Sequence, residues 1–370
     1  MIPKNPVELL QQLIQIPSVN PDGNCGPAAT GEGAMAAYLQ EFLTALGAQV
    51  ELHEVLTGRP NVVARFPSNS SGKPRLLFAP HTDTVGVSGM TIDPFGGTVQ
   101  EGKIWGRGAS DTKGSMAAML WSIKECAAWI ADLPYEIWFA GLMGEETGLL
   151  GSKALAARMQ FDLVIAGEPT DLDVVHTTKG CVWATVRTSG RASHASTPEK
   201  GRNAIFAMAD VLRCVRDEIA PSLRSLSHPV LGSPTISAGT IAGGSKINVV
   251  PDACECTLDM RTIPGQDVEP VFTRLRQLDP TLTIEFSQSP PLFTPPDHRV
   301  IEAMLQCGAK CVGAPWFCDG SSFAAQGMSA VAVGPGSIEQ AHTKDEFLSV
   351  DDLEAGVKFF SALLRRLQIS

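Results

Sequence analysis

Two short runs in this sequence, Leu76–Pro80 and Leu163–Gly167, are apolar from end to end, and a third, Tyr135–Leu142, is apolar except at Glu136. A strand with one wet face alternates apolar and polar residues. Uninterrupted apolar runs of this length belong in strands covered on both faces. Helical patterns lie between them: Gly114–Ile130, with Met116, Met119, Leu120 and Ile123 on one face, and Ser152–Met159. This alternation predicts an α/β sheet with helices on both faces. Upstream, Pro6–Ile16 reads as a helix with Asn5 as its N-cap. A second helix is expected over Gly31–Leu46, closed by Gly47. Strands follow at Gln49–Leu56 and Asn61–Phe66, and a β-hairpin at 92–108.

The pattern changes near residue 175. A long alternating strand (175–189) is followed by a helix (202–219), two strands (235–242 and 252–262), a helix (267–278) and a strand (281–287). That order, β-α-β-β-α-β, is a split βαβ sandwich. After the Pro-rich stretch 290–296 come a helix (His298–Val312), a strand (Ser329–Val333) and a terminal helix (Val350–Leu367). The expected architecture is an α/β mixed-sheet domain of residues 1–176 and 293–370, interrupted by a smaller α+β domain of residues 177–292.

Composition narrows the function. With 29 Lys+Arg against 39 Asp+Glu the net charge is −10, which argues against a nucleic-acid or anionic-membrane surface, since phosphate binding needs a basic face. No apolar run approaches the length of a membrane span. The N-terminal residues lack the plan of a signal peptide, so a soluble, cytoplasmic protein is expected. The nine cysteines, an odd number running from Cys25 to Cys318, are read as reduced residues rather than a disulfide framework.

Chemistry-bearing residues gather where the apolar strands end. His81 follows the first, Glu145 and Glu146 the second, and Glu168 the third. Asp111 sits in Gly106-Arg-Gly-Ala-Ser-Asp-Thr-Lys-Gly114 just before a helix, and His342 follows the strand at Ser329–Val333 and the turn Gly334-Pro-Gly336. Open α/β sheets bind ligands outside the carboxyl ends of their strands. Singly, each has a plain structural use: Asp111 as an N-cap, the Glu pair as turn acids, His81 as a core histidine, Asp83 as a turn former. Jointly, they converge on one edge as two histidines and several carboxylates without a cysteine. That donor set suits zinc, cobalt or manganese, and so many acids in one place require cations to neutralise them.

The segments His81-Thr-Asp-Thr-Val85, Gly106–Gly114, Gly144-Glu-Glu-Thr-Gly148, Gly167-Glu-Pro-Thr170 and Ala341-His342 resemble the co-catalytic zinc metallopeptidase family. That family includes acetylornithine deacetylase, succinyl-diaminopimelate desuccinylase, aminoacylase and glutamate-releasing carboxypeptidases. The likeness covers nearly the whole chain, and Gly167–Thr170 with Gly334–Ser337 lean toward the deacetylase and desuccinylase branch. The resemblance implies that Asp111 bridges two Zn2+ ions, with Co2+ as a substitute. His81 and Glu168 would complete one site, and Glu146 and His342 the other. Glu145 would be the general acid/base. Asp83 would accept a hydrogen bond from His81 and fix its tautomer. It also implies a cis peptide after Asp111.

In the inserted lid, His194 of Gly190–Ser196 would reach the substrate oxyanion. Asn248 would contact substrate, and Arg261 would clamp a carboxylate through its two-pronged guanidinium. Gly334 and Gly336 would let backbone approach the substrate. The loop Cys318–Gly320 is expected near the pocket, with no chemistry for Cys318. The implied activity is dizinc-dependent hydrolysis of the amide bond of an N-acyl amino acid. The alternative is a metallo-exopeptidase, either a dipeptidase or a carboxypeptidase, acting on a short peptide. A metal-free binding relative is disfavoured because every metal and base position is filled. A homodimer is expected, since lid-to-lid pairing would cover an exposed edge strand and supply His194 from the neighbouring subunit.

Overall fold

The computed structural model describes residues 3–22, 30–279 and 281–369. The chain forms two compact units: Met1–His176 with Leu292–Val312 and Cys318–Ser370, and Thr177–Pro291 with Gly313–Phe317. The stretch Gly313–Phe317, read from sequence as part of the larger domain, packs with the smaller unit.

The large unit is built on an eight-stranded sheet. Its order is Gln49–Leu56, Arg59–Arg65, Glu136–Gly141, Arg75–Ala79, Leu163–Ala166, Ser329–Ala332, Val174–Thr178 and Cys311–Ala314. The four central strands, Glu136–Gly141 through Ser329–Ala332, run parallel. Leu76–Phe78 and Leu163–Ala166 are fully buried, as their uninterrupted apolar character requires. Antiparallel pairs, such as Gln49–Leu56 with Arg59–Arg65, extend the sheet and make it mixed.

Asn5 caps the first helix, Pro6–Ile14, its side chain accepting the Glu8 N–H at 2.8 Å. The helix Lys113–Cys126 was expected to bury one face. It is buried on nearly all sides, because Pro6–Ile14 and the terminal helix Val350–Ile369 both pack on it. The helix read through His298–Val312 stops at Leu305. Gly308 then adopts φ +103°, and the chain leaves as the strand Cys311–Ala314.

The strand read over 175–189 is two strands broken at Lys179: Val174–Thr178 in the eight-stranded sheet, and Gly180–Ser189 in the sheet of the smaller unit. The smaller unit's four-stranded antiparallel sheet has the order Thr235–Gly243, Ala253–Thr262, Gly180–Ser189, Thr283–Ser289. The helices Ala204–Cys214 and Glu269–Arg276 share a core with it, through Met208, Val211, Phe272 and Leu275 against Val186, Cys256 and Leu258. Eight cysteines are free thiols, and Cys25 lies outside the described residues. Among those residues no helix is long and apolar enough to cross a membrane.

Candidate metal centre and active site

The four parallel strands deliver His81, Glu145, Glu146, Glu168 and His342 to one edge, because in a parallel sheet every carboxyl end points the same way. Ligand atoms of His81, Asp111 and Glu168 lie within 4.8 Å of one another, as do those of Asp111, Glu146 and His342. Asp111 belongs to both groups. Its Oδ1 is 3.0 Å from His81 Nε2, and its Oδ2 is 3.4 Å from His342 Nε2. His342 Nε2 is also 2.9 Å from Glu146 Oε2. The Asp111–Thr112 peptide is cis. His342 takes a left-handed backbone, φ +61°, which non-glycine residues rarely adopt.

His81 is oriented by the main chain. Its Nδ1 is 2.9 Å from the carbonyl of Asp83, where only a protonated nitrogen can donate, and this leaves Nε2 as the nitrogen that faces Asp111. The expected acceptor, the Asp83 carboxylate, is 3.6 Å away. It is engaged elsewhere, accepting the N–H groups of Glu145 (3.0 Å) and Glu146 (3.1 Å). Asp83 thus holds the acid pair, and its backbone sets the imidazole.

Electrostatics follow from this crowding. Burial and the charges of Glu168, Glu146 and Asp319 push Glu145 well above the ordinary carboxyl range, against the opposing charge of His81. Burial also raises Glu146 and Glu168, reinforced by Asp111. For Asp111, burial is outweighed by hydrogen bonds from His342 and His81, and its pKa is lowered. Burial lowers His81, yet its contact with Asp111 and the charges of Glu145 and Glu168 carry it well above its usual value. His342 is raised to about 10 by Asp111 and Glu146. Glu146 Oε1 is buried with no hydrogen-bond partner among the described residues. An orphaned carboxylate oxygen in a cluster of repelling acids, with two imidazoles and no thiolate, fits divalent cations such as zinc.

Several contributors carry no signal of their own in the sequence. Glu346 is buried and accepts the N–H groups of Gly108 (2.9 Å), Ser110 and Asp111 (both 2.8 Å). Arg107 Nη1 donates to it at 2.8 Å. It therefore sets the loop that aims Asp111. Asp319 is buried, and burial pushes it up to about 7 against the opposing effect of Ser152. Cys318 is fully buried.

Gly334 and Gly336, expected to let backbone approach the substrate, lie in a tightly packed turn. Both are buried, and their carbonyls accept the N–H groups of Thr170, Leu172 and Asp171. A Cβ on Gly334 would lie 2.0 Å from Ser115 Oγ and 2.6 Å from the carbonyl of Glu168. The close approach that these glycines permit is chain against chain, and it braces the segment carrying Glu168.

His194, Asn248 and Arg261 belong to the smaller unit. The first two are neighbours: Ala195 N–H donates to the carbonyl of Asn248 at 3.0 Å, and Ser193 accepts from Val250. His194 is exposed, and its Nδ1 accepts the Ser196 N–H at 3.2 Å, which leaves Nε2 as the ring nitrogen that can donate. Arg261 is held by Asp259, Nε to Oδ1 at 2.9 Å, with its guanidinium 5.9 Å from the centre of the Phe317 ring.

A mixed sheet that gathers two imidazoles and a shared carboxylate at its strand ends, with further buried acids beside them, defines a metal-dependent hydrolase of amide bonds. The chain belongs to peptidase family M20/M25/M40, which it matches over residues 77–366. It is similar to acetylornithine deacetylase of Proteus mirabilis (strain HI4320), 32% identical over 372 residues covering 94% of this chain and 93% of that one. Its fold is similar to that of a metallo-carboxypeptidase of this family from Sulfolobus solfataricus (TM-score 0.78, 20% identity, 100% of both chains). It is also similar to that of a dinuclear metal-binding peptidase of the family from Bacillus subtilis (TM-score 0.68, 15% identity, 97% of this chain and 96% of that one).

Proposed function

We propose that this enzyme removes the acyl group from an N-acyl amino acid by hydrolysing its amide bond, using two zinc ions that cobalt can replace. The observation that carries the reading is Asp111, whose two oxygens serve two separate histidine–carboxylate groups. His81 and Glu168 would hold one ion, Glu146 and His342 the other, and Asp111 both. Bound there, the ions supply Lewis acidity, making water more acidic and polarising the amide carbonyl. Glu145 has its N–H on Asp83, and its carboxyl favours a proton. With the cations offsetting the neighbouring acids it would be ionised, and it would then accept the proton of the attacking water and return it to the departing amine nitrogen. His194 Nε2–H donates to the oxyanion, Arg261 binds the substrate carboxylate and Asn248 adds a polar contact.

Relatives bearing the name acetylornithine deacetylase support a deacylase over an exopeptidase. The test is a substrate panel with added zinc or cobalt: acetylornithine, succinyl-diaminopimelate, acyl-glutamate and dipeptides. Turnover of an acyl amino acid well above any dipeptide supports the reading, and the reverse selects the exopeptidase. Eight free cysteines favour a reducing compartment, the cytoplasm.

The enzyme acts as a homodimer in this reading. Support comes from the edge strand Thr235–Gly243, exposed along nearly its whole length, and from Phe206, which is 71% exposed. If the neighbouring subunit supplies His194, then mixing inactive Glu145→Gln and His194→Ala proteins restores one working site per heterodimer. Verified subunit exchange without activity places His194 in its own chain's site or outside catalysis.

A further inference from the structure

The acid loop Met143-Gly-Glu-Glu146 has four consecutive N–H groups, and each is accepted by a side chain rather than by backbone. Asn61 Oδ1 takes Met143 at 3.0 Å, Glu32 Oε1 takes Gly144 at 3.2 Å, and Asp83 takes Glu145 and Glu146. Backbone amides in a buried loop must find acceptors. Here the acceptors determine where Glu145 and Glu146 sit.

Glu32 is fully buried, and a buried carboxylate stays ionised only when paired. Arg59, 7% exposed, supplies the charge through a two-pronged contact, Nε to Oε2 at 2.6 Å and Nη2 to Oε1 at 2.7 Å. Its third nitrogen, Nη1, donates to Asp22. Asp22 N–H donates to Asn20 Oδ1 at 2.9 Å, and Asn20 Nδ2 donates to Asp83 Oδ2 at 2.7 Å. The contacts therefore close a ring, from the acid loop through Glu32, Arg59, Asp22, Asn20 and Asp83 back to the loop. Arg59 and Asn61 stand two residues apart on one strand, so a single element sets two of the four acceptors.

We propose that the buried Glu32–Arg59 pair is a positioning device for the general acid/base Glu145. It acts through the Gly144 amide and touches neither substrate nor metal. This rests on the reading of Glu145 given above. Small displacements of a reacting group are costly, about 10²-fold for 1 Å.

The test uses the metal-loaded, full-length enzyme with Glu32→Gln, Arg59→Lys and Glu145→Gln, alone and combined. Glu32→Gln keeps size and loses the ion pair. Arg59→Lys keeps charge and loses the fork, and it serves if Glu32→Gln does not fold. Either is expected to lower kcat about 10- to 100-fold with KM within about twofold and metal content unchanged. In the Glu145→Gln background the same change should cost less than about twofold, because the group being positioned is gone. A merely structural role would instead lower both backgrounds alike. Hydrogen exchange of the peptide containing Met143–Glu146 should quicken in either variant.

An unchanged kcat, full additivity with Glu145→Gln, or loss of activity in step with metal overturns the proposal. Unchanged exchange overturns the cradle itself, whatever the chemistry. Wild-type turnover by Glu145→Gln alone overturns the assignment of the base, and the positioning role with it.

Discussion

Glu346 offers the sharpest test of how the shared ligand is aimed. Its Oε1 accepts the N–H groups of Ser110 and Asp111, and its Oε2 accepts Arg107 Nη1 and the N–H of Gly108. In Glu346→Gln one of these positions becomes an NH2 group. With the amide oxygen toward Ser110 and Asp111, the new donor faces Arg107 and Gly108; flipped, it faces Ser110 and Asp111. Either way two of four charge-assisted bonds become donor against donor, in a place where Glu346 is 1% and Arg107 3% exposed. At about 1.5–3 kcal/mol for each such bond, the expected loss is about 3–5 kcal/mol after local relaxation. Urea unfolding of the metal-free protein measures it. Because Asp111 serves both ligand groups, zinc titration should show both ions weakened together. Adding Arg107→Met removes one of the opposed donors, so the double variant should lose less than the sum of the singles, with a coupling of about 1–3 kcal/mol. A Glu346→Gln protein within about 1 kcal/mol of wild type, with unaltered zinc affinity, would refute this account of the loop.

Glu145→Gln should retain two metal ions per chain while turnover falls about 10²- to 10⁴-fold, and metal loss instead would make Glu145 a ligand. His342→Ala should show the opposite pattern, losing one ion measured by metal analysis, since His342 reaches only the group formed with Asp111 and Glu146. The chelated protein should be less stable at pH 8 than at pH 5. The raised carboxyls of Glu145, Glu168 and Asp319 stabilise the fold while protonated, and that contribution is lost as pH rises from about 4 through their folded values, about 7 for Asp319. The raised His342 acts in the same direction up to about 10, while lowered Asp111 matters only below the ordinary carboxyl range. Melting temperatures of chelated wild type and Asp319→Asn across this window check it: the variant should show a flatter profile, and a wild-type profile that rises with pH would refute the assignment.

Most of the fold's logic is local and was therefore legible in the chain. Fully apolar short runs specify strands covered on both faces, and the change to alternating strands near residue 175 marks the smaller unit. His81, Glu146 and Glu168 follow such strands and so share an edge, and the sequence groups them with Asp111 and His342. The helix boundary at Leu305 was not legible, because Gly308 is tolerated in a helical pattern until the strand Cys311–Ala314 finds a place at the sheet edge.

Only the tertiary structure decided what supports the ligands. Whether Asp83 serves His81 through its carboxylate or its carbonyl depends on where the amides of residues 145 and 146 arrive from another strand. That Gly334 packs against Ser115 and Glu168 was not legible, since both come to it from far away in sequence. Glu32, Arg59, Arg107 and Glu346 have no periodicity or motif of their own that distinguishes them from surface charges. Each becomes a buried acceptor or its counter-charge only when packing removes water and leaves distant backbone amides without partners.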